Sequence, residues 1–300
     1  MELRQLRYFI GVAESLNFSE AARNLYVTQS TLSQQIKALE DELGTTLFQR
    51  DSHSVELTET GARLLPLAQR TVQDAESCKS QIQDMQDLLT GELKIGVTYS
   101  FSPILTEAVK MFIHKYPGIR LSIVYRTMGD LMDMLRRRKV DFVLAFKPNS
   151  PYDEIESHHL FEDILCVILR KDNPLSGLTS ISMEQLRGQR LAMPAKGLQA
   201  RNAVEKYINV DNFNLDVCLE INEANILLDI VENNNLITIL SEATIRNRSL
   251  LKAIPLDLPD NQMQGCIHML KKVYHKRSAD VFIKMLRECC AVRELAEKWL

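Results

Sequence analysis

The chain has 300 residues, 45% hydrophobic and 25% charged, which suits a globular protein of two or three domains with room for proper cores. A net charge of −3 excludes a bulk positive field as the means of holding nucleic acid, and the first ninety residues are themselves acidic. No run approaches the ~18 apolar residues of a membrane span, and the six cysteines show no CxxC or metal-ligand spacing.

The start MELRQLRYF carries polar residues inside its apolar run, so no secretory segment is expected there. The expectation is a cytoplasmic protein with reduced thiols, no cofactor and no membrane partner. Leu3, Leu6, Phe9, Ile10 and Ala13 then predict an opening helix. From Asn17 to Leu43 the spacing predicts two short helices joined by a tight turn. Ala21, Ala22 and Leu25 form the apolar face of the first, with Ser19 as its expected cap. In the second, Leu32, Ile36, Leu39 and Leu43 recur at i, i+4, i+7 and i+11, a buried stripe at helical period. Thr28 is placed to cap it and Gly44 to end it.

The opposite face of that helix carries Ser30, Ser33, Gln34 and Lys37, with Gln29 at its leading edge. A helix that docks its apolar stripe on its own domain can send such side chains into a major groove. Gln can bond an adenine edge bidentately, Ser serves several edges, and Lys reaches guanine or phosphate. The same periodicity also fits an ordinary helical hairpin with a solvated face. TLFQRDSHSVELT predicts two short strands around a polar turn, Asp51 to Ser54, with Arg50 and His53 beside the groove face. A solvated turn residue is the bland reading of His53.

The words LRQLRYFIGVAESLNFSEAARNLYVTQSTLSQQIKALEDELGTTLFQR, followed by LTETG, closely resemble the DNA-binding domain of LysR-type transcriptional regulators, without a gap from Leu3 to Gly61. Ser30 stands where proline is frequent in that family and Gln34 where arginine is frequent, and both remain compatible with a groove. The resemblance implies a winged helix-turn-helix over residues 1–58 and a linker and dimerisation helix over 59–90. An effector-binding domain of two periplasmic-binding-protein-like βαβ subdomains follows over 91–300. Candidate DNA-binding residues are Ser19, Thr28, Gln29, Ser30, Thr31, Ser33, Gln34, Lys37, Arg50 and His53.

From Thr58 to about Leu89 the sequence is nearly free of helix breakers. Leu64, Ala68, Ala75, Cys78, Ile82, Met85 and Leu89 fall on a three-four spacing, with Thr71 the polar exception, as in a short coiled-coil seam. Such a helix spans roughly 45 Å, and Pro66 should bend it near its start. The seam implies a homodimer, with packing on its own chain as the rival reading. A tetramer and contacts with RNA polymerase follow from the resemblance alone.

After Thr90-Gly91, ELKIGVT, IRLSIVY and DFVLAF predict strands alternating with helices SPILTEAVKMFIHKY and GDLMDMLRRRK. From Gln189 the same order returns as RLAMP, LQARNAVEKYI, LDVCLEI, EANILLDIVENN and LITILSE, an architectural repeat at an offset of roughly 95 residues. Two βαβαβ units with parallel sheets are expected, subdomain I at about 91–160 and 268–300 and subdomain II at about 161–267. IESHHLFEDILCVILRKD and QGCIHMLKKV would connect them, and one terminal helix from Ser278 to about Leu295 would pack back.

Ligands of open parallel sheets bind beyond the carboxyl ends of the strands, and the resemblance likewise places an effector between the subdomains. The candidates are Thr98, Ser100, Phe101, Ser102, Thr127, Lys147, Lys196, Gln199 and Asn225, whose hydroxyls, lysines and helix-start amides point to a small anionic metabolite. Serine or threonine before a helix is also an ordinary cap. The chain carries no GxGxxG, P-loop, HExxH or GxSxG, and His158-His159 alternate along a strand, so no enzyme is expected. Met193 to Phe213 holds no cysteine, which speaks against peroxide sensing by a cysteine pair. The rival class is a solute-binding protein or a non-catalytic metabolite sensor.

Overall fold

The computed structural model describes residues 1–51, 54–85, 90–207 and 215–297. The chain divides into two compact units, Met1–Asp87 and Leu88–Leu300.

In the first unit, helices α1 (Leu3–Ser15), α2 (Phe18–Asn24) and α3 (Gln29–Leu43) precede a hairpin of β1 (Phe48–Arg50) and β2 (Val55–Leu57), then the long helix α4 (Glu59–Met85). Leu32, Ile36 and Leu39 are fully buried among Phe9, Val12, Ala21 and Ala22, as the helical period requires, while Leu43 remains 40% exposed. Thr28 Oγ1 accepts the Thr31 N–H at 3.2 Å, and Gly44 ends α3 at φ +66. The cap of α2 is not Ser19. Asn17, extended at φ −150, accepts the N–H groups of Ser19 and Glu20 at 2.9 and 3.0 Å, and Ser19 lies inside the helix. A cap must be the last non-helical residue, and the chain turns helical at Phe18.

Helix α4 meets the hairpin closely: a Cβ on Gly61 would fall 2.2 Å from the Leu47 carbonyl oxygen. Ala68 and Val72 are buried, and Leu64 and Leu65 partly so, in the cluster of Phe9 and Leu39. Leu64 and Ala68 therefore pack within their own unit and do not belong to a free seam. Farther along, Ala75 is half-buried, Cys78 exposed and Ile82 57% exposed. The Met85 side chain and Leu89 lie outside the described residues.

The second unit has two lobes. The first holds β3 (Gly91–Val97), α5 (Ser102–Lys115), β4 (Ile119–Tyr125), α6 (Met128–Arg136), β5 (Phe142–Phe146) and β6 (Ile155–Asp163). The chain then enters the second lobe with β7 (Leu165–Arg170), β8 (Arg190–Pro194), α7 (Gln199–Glu205), β9 (Asp216–Ile221), α8 (Ala224–Asn233), β10 (Thr238–Ser241) and β11 (Leu251–Pro255). It returns to the first with β12 (Met263–Leu270), α9 (Arg277–Glu288) and α10 (Cys290–Glu297).

The first sheet runs β4-β3-β5-β12-β6, with β3 parallel to β4 and β5 but β12 antiparallel to both its neighbours. In the second lobe the parallel pair β8-β9 joins the antiparallel set β10-β7-β11 through a parallel bridge from Leu191 to Ile237. The order β9-β8-β10-β7-β11 repeats that of the first lobe. The repeat therefore holds, but the sheets are mixed rather than parallel, because each takes one antiparallel strand from the connecting segments. β5, covered on both faces, is buried along its whole length.

The terminal helix is broken. Cys289 is extended at φ −68, ψ 148 between α9 and α10, and Glu107 accepts the freed N–H groups of Cys290 and Ala291 at 2.8 and 3.1 Å.

Candidate nucleic-acid interface and ligand cleft

On α3, Gln29, Ser30, Thr31, Gln34 and Lys37 are exposed and Ser33 is half-buried. The Thr28 hydroxyl lies 3.0 and 2.8 Å from those of Ser30 and Thr31, so the cap and the first turn share one hydroxyl cluster. Ser19 is exposed on α2. His53 lies outside the described residues.

Arg50, the last residue of β1, is held by several partners. Its guanidinium donates to Ser33 Oγ at 3.4 Å and Glu40 Oε2 at 3.3 Å, with Cζ 4.5 Å from the centre of the Phe18 ring. The other Glu40 oxygen accepts the N–H groups of Leu47 and Phe48 at 2.7 and 3.3 Å. Glu40, with a side chain only 11% exposed, thus holds the first strand of the hairpin against α3. In the sequence Glu40 belongs to an acidic tail of α3 with Asp41 and Glu42. The available signal was its position beside Leu39, at the edge of the buried stripe. Glu42 pairs with the Met1 amino group, so two charges of that tail are matched. An open groove of about 760 Å³ runs between α3 and the wing, lined by Ser33, Gln34, Lys37 and Arg50 among others.

In the second unit a cavity of about 520 Å³ lies between the lobes. Met128, Gly129, Phe146, Lys147, Pro148 and Asn149 face it from the first lobe, and Gly197, Gln199, Asn202, Ala203, Lys206 and Tyr207 from the second. Asp260 to Gln264 line it from the returning connection. Lys147 Nζ donates to Gln264 Oε1 at 3.1 Å. Gln199 spans the lobes with both ends of its amide, accepting the Phe146 N–H at 3.2 Å and donating to the Phe146 carbonyl at 2.9 Å.

Of the expected ligand contacts, Lys147 and Gln199 line this cavity, while Thr98, Ser100, Phe101, Ser102, Thr127, Lys196 and Asn225 do not. Phe101 is a core residue, fully buried against Phe146 and Phe161. Thr98 is buried with its hydroxyl toward the Leu144 carbonyl at 3.4 Å, and Ser102 donates to the Tyr99 carbonyl at 2.8 Å. Thr127 caps α6, and the Asn225 amide donates to Glu223 at 3.2 Å. Local hydrogen bonds claim these polar groups first, as the ordinary capping reading implies. Asn202 and Lys206, which were not among the expected contacts, also line the cavity; they follow Gln199 at i+3 and i+7, Lys206 just past the end of α7.

The hinge is polar, with Asp163 buried and Asn261 half-buried. Asn261 accepts the Leu165 N–H at 2.9 Å and donates to the carbonyls of Leu165 and Leu256 at 2.9 and 2.6 Å, joining the two connections. Asp163 accepts the N–H groups of Ile164 at 2.8 Å and Ala243 at 3.2 Å. Burial pushes its carboxyl up to about 6, against the lowering effect of those donors. His268, buried in β12, hydrogen-bonds Ser157 at 2.8 Å and the Ala145 carbonyl at 3.2 Å. Burial lowers its pKa to about 4. His158 and His159 pair separately with Glu156 and Glu162. Among the described residues no cluster is suited to a metal ion, and no helix is long and apolar enough to cross a membrane.

Residues 3–62 match the family model described as "Bacterial regulatory helix-turn-helix protein, lysR family", and residues 86–291 match "LysR substrate binding domain". The chain belongs to the LysR family of DNA-binding transcriptional regulators, with a DNA-binding head and an effector-binding domain. It is similar to the transcriptional activator IlvY of Haemophilus influenzae, 35% identical over 170 residues, which span 56% of this chain and 58% of that relative. Among solved structures, a full-length OxyR variant from Pseudomonas aeruginosa has a TM-score of 0.76 at 24% identity, covering 98% of this chain and 97% of that one. Full-length CbnR complexed with its target DNA has a TM-score of 0.64 at 20% identity, covering 96% and 99%.

Asp163 and His268 impose opposite pH dependences over nearly one window. The unfolded carboxyl ionises near 3.8 and the folded one near 6, so the folded state holds the extra proton between them. This contribution to stability therefore falls as pH rises from about 4 to 6. The folded His268 loses its proton near 4 and the unfolded one near 6.5, so its contribution rises over about the same range. Each change amounts to roughly 3 kcal/mol. In urea unfolding at pH 4.5 and 6.5, the stability gap between parent and His268→Gln should widen with pH, and that between parent and Asp163→Asn should narrow. Gaps independent of pH would refute both assignments.

Proposed function

We propose that α3 enters the major groove of operator DNA, with Gln29, Ser33 and Gln34 toward base edges and Lys37 and Arg50 toward phosphates or the groove wall. The observation that carries this reading is the exposed polar face of α3 opposite a fully buried stripe. Ser19, Ser30, Thr31 and His53 flank that face, and Thr28 orders its first turn. A small anionic metabolite then acts between the lobes, where Lys147 and Lys206 supply positive charge and carboxamides from both lobes supply donors and acceptors. Ser100 and Lys196 lie outside the lining. The protein works in the cytoplasm and performs no catalysis. A solute-binding protein would share the two lobes but leave the face of α3 without a use.

It assembles at least as a homodimer through the distal part of α4, where Cys78 and Ile82 are exposed. A tetramer and contact with RNA polymerase extend this reading on family resemblance.

Gln34→Ala should cost about 1–3 kcal/mol at the operator and relax preference at one base pair, measured by binding to operator and randomised duplexes. Unchanged binding to both would remove α3 from the groove. Ile82→Asp would bury an unpaired charge in the dimer contact. Sedimentation at micromolar concentration should show a lower mass, and a retained mass excludes the distal seam as the required contact. Lys147→Ala should abolish the response of operator binding to carboxylate and phosphate-ester pools, while Ser100→Ala keeps most of it. The reverse ranking would move the site to the β3 loop.

A further inference from the structure

The turn between α2 and α3 holds a side chain that its own unit leaves unused. Tyr26 adopts φ +56 and is 96% exposed. Its N–H bonds the Arg23 carbonyl at 3.2 Å and the next N–H, of Val27, bonds that of Ala22 at 3.0 Å. This is the left-handed helix end that glycine or asparagine ordinarily supplies, since a Cβ there crowds the following carbonyl.

Left-handed non-glycine residues occur elsewhere in the chain, each in a setting that offsets the conformation. Leu16, at φ +49, is 48% exposed and so buries half its surface within the unit. Arg138 and Lys272 carry charges that favour water, and Asp260 is a residue type that tolerates this conformation. Tyr26 combines an unfavourable backbone with a large, almost wholly solvated ring, which the described residues of the first unit leave exposed.

Its place suggests what covers it. Tyr26 precedes the Thr28 cap by two residues, beside exposed Gln29, Ser30 and Thr31 at the leading end of α3. Arg23, exposed in the last turn of α2, adds a positive charge three residues earlier. We infer that Tyr26 is a DNA-backbone contact, its hydroxyl donating to a phosphate oxygen beside the groove and its ring lying along the sugar. A neutral phenol is a competent donor to phosphate, and its two side-chain torsions make ordering inexpensive. The contact is independent of sequence: it contributes affinity and register, while base choice stays with α3. The inference rests on the groove docking of α3 proposed above.

The test uses the full chain, an operator duplex recovered by selection and a random duplex, at one salt concentration. Tyr26→Asn should raise the melting temperature, because asparagine accepts the left-handed conformation, yet weaken binding to both duplexes by a similar factor, roughly tenfold. Tyr26→Phe should leave the melting temperature unchanged and lose most of the same factor. Parental binding by both variants overturns the inference. So does a loss confined to the operator, which would make Tyr26 a base reader. Unchanged DNA binding with a lower sedimenting mass would mark a contact between copies and overturn it equally. Gln34→Ala separates the two readings: if it weakens operator binding while both Tyr26 variants bind as the parent does, the docking of α3 stands and the phosphate contact alone is overturned.

Discussion

Each lobe of the effector domain completes its sheet with a strand supplied by a connection between the lobes. β7 enters the second sheet as soon as the chain leaves β6, and β12 enters the first as soon as it returns. Because these strands lie inside their sheets, paired on both sides, neither lobe can leave without losing two ladders of hydrogen bonds. Relative motion is thereby confined to the short connections, which Asn261 joins through the backbone of Leu165 and Leu256. The cleft follows from the same constraint. Loops at the carboxyl ends of β5 and β8 face one another across the hinge, and Gln199 closes the distance by gripping the Phe146 backbone.

A hinge built this way must bury polar groups, and the fold satisfies them with backbone partners. The Asp163 carboxylate meets two N–H groups, one of them from the opposite lobe at Ala243. Ala243 itself sits in the core of the first lobe, so a segment of the second lobe is seated in the first on this side. The side bearing Lys147 and Lys206 keeps an open cavity instead. The lobes are therefore packed on one side of the hinge and open on the other.

The DNA-binding head solves a charge problem locally. An acidic end on a recognition helix repels phosphate, yet Glu40 is turned inward to hold the wing and is matched by Arg50, which in turn rests on Phe18. The carboxylate is spent on structure. The exposed face keeps Lys37 and neutral hydrogen-bonding groups, with Asp41 beside them at the far end of the groove.

Much of this was legible in the residues. The stripe Leu32, Ile36 and Leu39, the Thr28 cap, the Gly44 terminus and the repeated strand-helix order all rest on local periodicity and capping, which the sequence states directly. The order even implied the repeat, since matching elements recur along the chain. Local pattern could not show which strand pairs with which, because strand direction in a sheet depends on partners distant in sequence. Hence the antiparallel β7 and β12 appeared only in the fold. The same holds for side chains claimed by neighbours. Thr127 and Ser102 looked available until their hydroxyls were seen on nearby groups, and nothing local in the sequence showed that Glu40 would hold the wing. Periodicity decides which face of an element is buried; only tertiary packing decides what each polar group on the other face has left to offer.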